Sequence, residues 1–92
     1  MATFHFDVVS PDKVLFSGEV NRVDVPGSEG DFGVLAAHTK SVTKLRPGIL
    51  VVHSERGALQ IVVDGGFAEV APSRLSVFAD RAVSSTLWTS LA

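Results

Sequence analysis

The residue types best placed to do chemistry lie in one stretch, Val23 to His38, which reads VDVPGSEGDFGVLAAH. Inside it, Gly27-Ser28-Glu29-Gly30-Asp31-Phe32-Gly33 sets glycine at every third position between two carboxylates. A glycine-punctuated loop invites comparison with a phosphate cradle. Such cradles offer bare backbone N–H groups, often beside a lysine. Here Glu29 and Asp31 would repel the anion, and no lysine follows. A nucleophile elbow needs Gly-x-Ser-x-Gly, and Gly27-Ser28 lacks the spacer. A calcium loop needs several oxygen ligands at regular spacing, more than Glu29 and Asp31 supply. Two readings stay open on these residues: a solvated turn kept soluble by its carboxylates, or a contact loop for another chain that carries Phe32 between charges.

The three histidines, His5, His38 and His53, fall on separate segments without HxH or HxxxH spacing. Zinc requires three or four converging ligands, so no metal site is expected. His5 lies on the polar face of its strand, solvent-facing or packed at an edge. His38 follows an apolar run and precedes Thr39-Lys40, which fits an interface residue or a turn residue bonded to backbone. No spacing positions a Ser-His-Asp triad. Paired carboxylates for glycoside chemistry would have to flank a cleft, for which so short a sandwich has little room. The six Phe and one Trp fall at core periodicity, which argues against a stacking platform for sugars or single-stranded nucleic acid. No catalytic residue, cofactor site or metal site is expected.

The elements that position this loop read as strands. Phe4, Phe6 and Val8 alternate with Thr3, His5 and Asp7, the period of a half-buried strand. Ser10-Pro11-Asp12 turns the chain. Val14 to Phe16 reads as a short strand that bends at Ser17-Gly18. Glu19 to Val25 follows, with a bulge or corner near Asn21-Arg22 because Val20 and Val23 differ in parity. Phe32 to Ala37 is a short apolar strand, and Thr39 to Leu45 another, with Val42 inward. After the Arg46-Pro47-Gly48 turn, Ile49 to His53 is apolar throughout, as for a strand covered on both faces. Ser54 to Gly57 makes a hairpin, and Asp64-Gly65-Gly66 a second. Phe67 to Val70 returns, Ala71-Pro72-Ser73 turns, and Leu75, Val77 and Ala79 alternate. The fold class is all-β: a small antiparallel β-sandwich or flattened barrel of about eight to ten short strands. Residues 1–83 form this domain, and residues 84–92 a short irregular or helical tail anchored by Leu87 and Trp88 at the sandwich edge.

At 92 residues the chain is a single domain, and it has no cysteine to staple it. It is 46% hydrophobic and only 20% charged. A small sphere has too much surface to hide that apolar content, which points to a partner covering part of it. A net charge of −2 with scattered Lys and Arg gives no footprint for nucleic acid. No apolar run is long enough to span a membrane, and MATFHFDVV lacks the pattern of a signal peptide. A bacterial cytoplasmic protein is the simplest reading of these features.

Several stretches then stand in register with a known family. Phe6-Asp7-Val8-Val9-Ser10-Pro11, Leu15-Phe16-Ser17-Gly18 and Val25 to Leu35 lead, followed by His38 and Leu45-Arg46-Pro47-Gly48. Val63 to Val70, Leu75-Ser76-Val77 and Ala79 to Val83 complete the set. Together they resemble the N-terminal domain of the epsilon subunit of bacterial F-type ATP synthases, over about residues 3 to 83. The resemblance implies a β-sandwich at the foot of the central rotor stalk that does no chemistry. It implies binding to the gamma subunit along one side and to the polar loops of the membrane-embedded c-ring, in a hetero-oligomeric complex that couples proton flow to ATP synthesis. It implies a peripheral place on the cytoplasmic face of the bacterial inner membrane, without membrane insertion. Matched residue by residue, the ring-facing positions are Glu29, Gly30 and Asp31, and the gamma-facing positions Ser10, His38 and Thr43. A stand-alone β-sandwich that binds a small ligand is the alternative expectation.

Two departures qualify the likeness. The family commonly reads Gly-His-Ala-Pro where this chain has Ala37-His38-Thr39-Lys40, which changes the turn and adds a positive charge. The family continues into a two-helix hairpin that restrains ATP hydrolysis and in some members binds ATP. Ser84 to Ala92 does not resemble the start of that hairpin, so neither property is expected here.

Overall fold

The computed structural model describes residues 3–34 and 40–84. Ten strands run in chain order: β1 Phe4–Ser10, β2 Lys13–Val20, β3 Arg22–Val25, β4 Phe32–Val34, β5 Ser41–Leu45, β6 Gly48–Ser54, β7 Gly57–Val63, β8 Gly66–Ala71, β9 Arg74–Ala79 and β10 Ala82–Ser84. They form two five-stranded sheets packed face to face. Sheet I has the order β2-β1-β9-β8-β5, and sheet II the order β10-β7-β6-β3-β4. The all-β sandwich expected from the alternation is the fold observed.

Alternation sets the core. Phe4, Phe6 and Val8 of β1, Leu75, Val77 and Ala79 of β9, and Leu45 of β5 turn inward from sheet I. Val23 and Val25 of β3, Leu50 and Val52 of β6, and Leu59, Ile61 and Val63 of β7 meet them from sheet II. Each fully buried Val, Leu or Phe contributes roughly 1.5–3 kcal/mol of transfer free energy. The Phe6 and Phe16 rings lie 5.6 Å apart and tilted, which seals the β1–β2 side.

Five sequence expectations are corrected. The sheet is not wholly antiparallel: β1 and β9 run parallel from His5↔Arg74 to Val9↔Phe78. No hairpin joins these two strands, so no tight turn forces opposed directions. Next, Ser17-Gly18 does not bend the chain. β2 continues to Val20, with Gly18 opposite Phe6 and the Phe16 ring 3.7 Å from where a Gly18 Cβ would stand. A side chain there would meet that ring only at ordinary contact distance, so the glycine neither bends the strand nor is required by the packing. The corner lies at Asn21, where the chain leaves sheet I for sheet II; its amide donates to the His53 carbonyl.

Asp64-Gly65-Gly66 is likewise a corner between sheets and not a hairpin, since β7 belongs to sheet II and β8 to sheet I. Gly66 has φ +124°, and a Cβ there would fall 2.1 Å from the Phe78 carbonyl oxygen. The neighbouring crossing from β9 to β10 is bound to this corner: the Asp64 amide donates to the Arg81 carbonyl and the Asp80 amide to the Gly65 carbonyl. Finally, Val42 points outward and is 66% exposed, whereas Thr43 and Leu45 stand opposite Ala68 and Gly66 on the inner face. By the same one-sided logic, Leu50 and Val52 are buried while Ile49 is exposed. The expected continuation of the β4 strand to Ala37, and the tail with Leu87 and Trp88, lie outside the described residues.

Candidate docking surface

The acidic loop connects β3 to β4, which pair from Val23↔Val34 to Val25↔Phe32. The main chain, rather than side chains, holds most of it. The Arg46 amide donates to the Pro26 carbonyl, the Ser28 amide to the Lys44 carbonyl, and Gly27 bridges Leu45. The loop of sheet II is thereby stitched to the end of β5 in sheet I. Pro26 and Gly27 are buried, and a Cβ on Gly27 would stand 2.6 Å from the Gly30 carbonyl oxygen. The Gly30 amide donates to the Gly27 carbonyl, closing the turn, and Gly30 itself takes φ +134°. Ser28, Glu29, Gly30 and Asp31 are exposed. Asp31 forms an ion pair with the Arg46 guanidinium. Glu29 has no hydrogen-bond or ion-pair partner among the described residues.

The outer face of sheet I adjoins this loop. Strand register lays its outward residues in rows. One row is apolar and crosses the sheet as Val14, Val9, Phe78 and Phe67, ending at Lys44. Val14, Phe67 and Phe78 are about half exposed or more, and Val42 lies beyond them on β5. Aromatics placed by their alternation in the core are therefore in part on the surface. Lys44, at the end of the row, is the residue whose carbonyl holds Ser28. Sheet II carries a shorter apolar row, Ile49, Val62 and Val83, on its own outer face.

Two of the expected gamma-facing residues, Ser10 and Thr43, lie on strands that carry the first of these rows. Ser10 follows Val9 and is buried, its hydroxyl within reach of Asp12 Oδ1 and the Lys13 carbonyl. Thr43 lies between Val42 and Lys44 and is half-buried on the inner side of β5. The two are on separate strands of sheet I, β1 and β5, with both side chains on the inner side of the sheet, so they neither form one cluster nor belong to the outer apolar row. His38 lies outside the described residues.

The next rows of sheet I bring together a constellation that sequence spacing did not reveal. His5 Nε2 lies 2.7 Å from Asp7 Oδ1, and the Ser17 hydroxyl donates to the same oxygen at 2.8 Å. Arg74 Nη2 donates to Asp7 Oδ2 at 2.7 Å, and His5 Nδ1 faces Glu19 at 3.4 Å. Serine, histidine and aspartate are in contact, yet a hydrolytic triad needs the acid on one imidazole nitrogen and the serine on the other. Here both meet Nε2, and the serine proton is committed to the carboxylate. Burial pushes the Asp7 carboxyl up, but the Ser17 and His5 hydrogen bonds and the charges of His5 and Arg74 outweigh it and hold the group below the usual carboxylate range. The outer face of sheet II repeats the theme. His53 Nε2 and Arg22 Nε each meet Asp24, at 2.9 and 2.8 Å. Burial raises the Asp24 carboxyl, and those two partners lower it by more. The only sequence signal for either cluster was parity on one strand; register with a neighbour was needed to complete it. Among the described residues, no three His, Asp or Glu side chains converge as a metal site requires.

The fold and surface thus define a β-sandwich whose polar clusters are internally paired and whose distinctive features are an ordered acidic loop and apolar outer rows. Residues 3–85 match the family described as ATP synthase, Delta/Epsilon chain, beta-sandwich domain. The chain is 58% identical over 84 residues to an ATP synthase epsilon chain of Bradyrhizobium sp. (strain ORS 278), and 61% identical to one of Rhodopseudomonas palustris (strain BisA53). Each alignment covers 91% of this chain and 62% of the relative, so the chain spans under two thirds of the curated relatives it matches. Among solved structures it is similar to a chain of the Euglena gracilis mitochondrial ATP synthase in an OSCP/F1/c-ring assembly. That match has a TM-score of 0.83 at 31% identity, over 91% of this chain and 54% of the other. A chain of the Tetrahymena thermophila mitochondrial ATP synthase central stalk and c-ring shares the fold, with a TM-score of 0.71 at 14% identity, over 86% of this chain and 64% of that one. The chain belongs to the ATP synthase delta/epsilon family, in which it represents the β-sandwich domain.

Proposed function

We propose that residues 1–83 act as a non-catalytic docking domain of an F-type ATP synthase rotor, fastening the gamma subunit to the c-ring so that proton-driven rotation reaches the catalytic sites. Family membership supports this assembly, and the curated relatives are epsilon chains. The observation that carries the reading is the continuity of two different surfaces: the apolar row of sheet I ends at Lys44, and Lys44 holds the acidic loop through the Ser28 amide.

The apolar row of Val14, Val9, Phe78 and Phe67 is the gamma-facing surface. The half-exposed aromatics Phe67 and Phe78 favour this face over the Ile49, Val62 and Val83 row of sheet II, while Ser10 and Thr43 lie on the inner side of the strands that carry it. Burial of Ser10 gives it the task of shaping the β1–β2 end rather than of contacting gamma with its side chain. Glu29, Gly30 and Asp31 form the ring-facing tip. Exposed charges of this kind contribute about 0–1 kcal/mol each, and they set orientation more than affinity. The domain works peripherally at the cytoplasmic face of the bacterial inner membrane.

Co-purification tests the reading. An affinity-tagged gamma subunit, alone or with its ring, retains the chain in a stoichiometric complex; a chain that washes through both baits is not a rotor subunit.

A further inference from the structure

We infer that Arg46 is the positioning residue of the acidic loop: it latches Asp31 against the end of β5 and leaves Glu29 as the carboxylate the loop offers to a partner. The inference deepens the ring-docking reading and rests on it for the partner, though not for the latch. Arg46 grips the loop at both ends. Its amide donates to the Pro26 carbonyl where the loop begins, and its guanidinium pairs with Asp31 where the loop ends. Between these grips the Ser28 amide is held by Lys44, and the Gly30 amide by Gly27.

An exposed ion pair is weak when two free side chains must be ordered to make it. Here the Arg46 backbone, directly after β5, is already held by the Pro26 bond, so less freedom is lost on pairing. The charge pattern follows. Asp31 is compensated within the chain, while Glu29 has no partner among the described residues. The tip therefore presents one uncompensated negative charge, not two. The chemistry that fits is a polar loop carrying a single cationic side chain.

The experiment has two arms. In the first, amide exchange is followed in the whole chain. Arg46→Gln speeds exchange at Ser28 and Gly30 about two- to fivefold while Val52 in the core is unchanged. Arg46→Lys, and the swap of Asp31→Arg with Arg46→Asp, restore most of the protection. Unchanged loop exchange in Arg46→Gln, or a swap that fails to restore it, overturns the latch. In the second, ATP-driven proton pumping is measured in the assembled synthase. Glu29→Gln weakens coupling by more than the charge swap does. If Glu29→Gln has no effect while the exchange pattern holds, the latch stands and the ring-docking role of Glu29 is overturned. If the swap weakens coupling more than Glu29→Gln despite restored protection, Asp31 itself is the main contact and the assignment to Glu29 is wrong.

Discussion

Phe67 and Phe78 stand directly opposite one another across β8 and β9 on the outer face of sheet I, 52% and 49% exposed. Two half-exposed aromatics in register, continued by Val9 and Val14, form a surface with little to gain from water. Replacing both with Ser leaves the sandwich folded, with stability changed by no more than about 1 kcal/mol. Binding to the gamma subunit falls at least about tenfold, in keeping with the role of aromatic anchors in interfaces. Calorimetric titration of gamma into the two chains measures it. The matching substitution of Ile49 and Val62 in sheet II leaves gamma binding intact.

The Phe6 ring is fully buried between the sheets and packed on Phe16. Phe6→Ala costs about 3–5 kcal/mol of stability. Urea unfolding followed by far-UV circular dichroism shows this as a lower midpoint at an unchanged slope.

Gly66→Ala tests the corner between the sheets. Its positive φ alone disfavours a side chain by about 1–2 kcal/mol, and the methyl group would meet the Phe78 carbonyl at 2.1 Å. The same unfolding measurement shows a loss above that figure. Gly30→Ala, in open space with a similar φ, loses only the conformational part.

Asp7 and Asp24 couple stability to acid. Both carboxyls are held below their ordinary value of 3.8 in the folded state. Their contribution is therefore complete above that value and is lost as the pH falls below it, through the lowered folded-state values. Acid unfolding of Asp7→Asn shows a shallower loss of stability over that range than the parent chain. Stability at neutral pH also falls, because Arg74 and His5 lose their anionic partner.

Much of the fold was legible because one-sided burial writes a period of two into β1, β7 and β9. Where that period is satisfied by either face, reading fails. Val42 and Leu45 are both apolar but differ in parity, so hydropathy alone does not say which faces inward; register against β8 sends Leu45 to the core, with Thr43 on its side, and leaves Val42 outside. Ile49 to His53 looked covered on both faces because its outward residues are apolar too; that surplus is a surface row. The Asp64-Gly65-Gly66 turn was correctly placed, but whether a glycine turn folds back on its own sheet or crosses to another depends on partners far along the chain. The loop was recognisable from its glycines and acids. The Arg46–Asp31 pair and the Ser17–His5–Asp7 contact were not, because each joins separate segments that only sheet packing and register bring together.

Site-specific photocrosslinking in the assembled ATP synthase tests the central claim most directly. With a photoreactive side chain at position 29 in one chain and at position 78 in another, the account predicts adducts to the c-ring from the first and to the gamma subunit from the second. Adducts to neither subunit, or gamma adducts that arise from position 62 of sheet II and not from position 78, would contradict it.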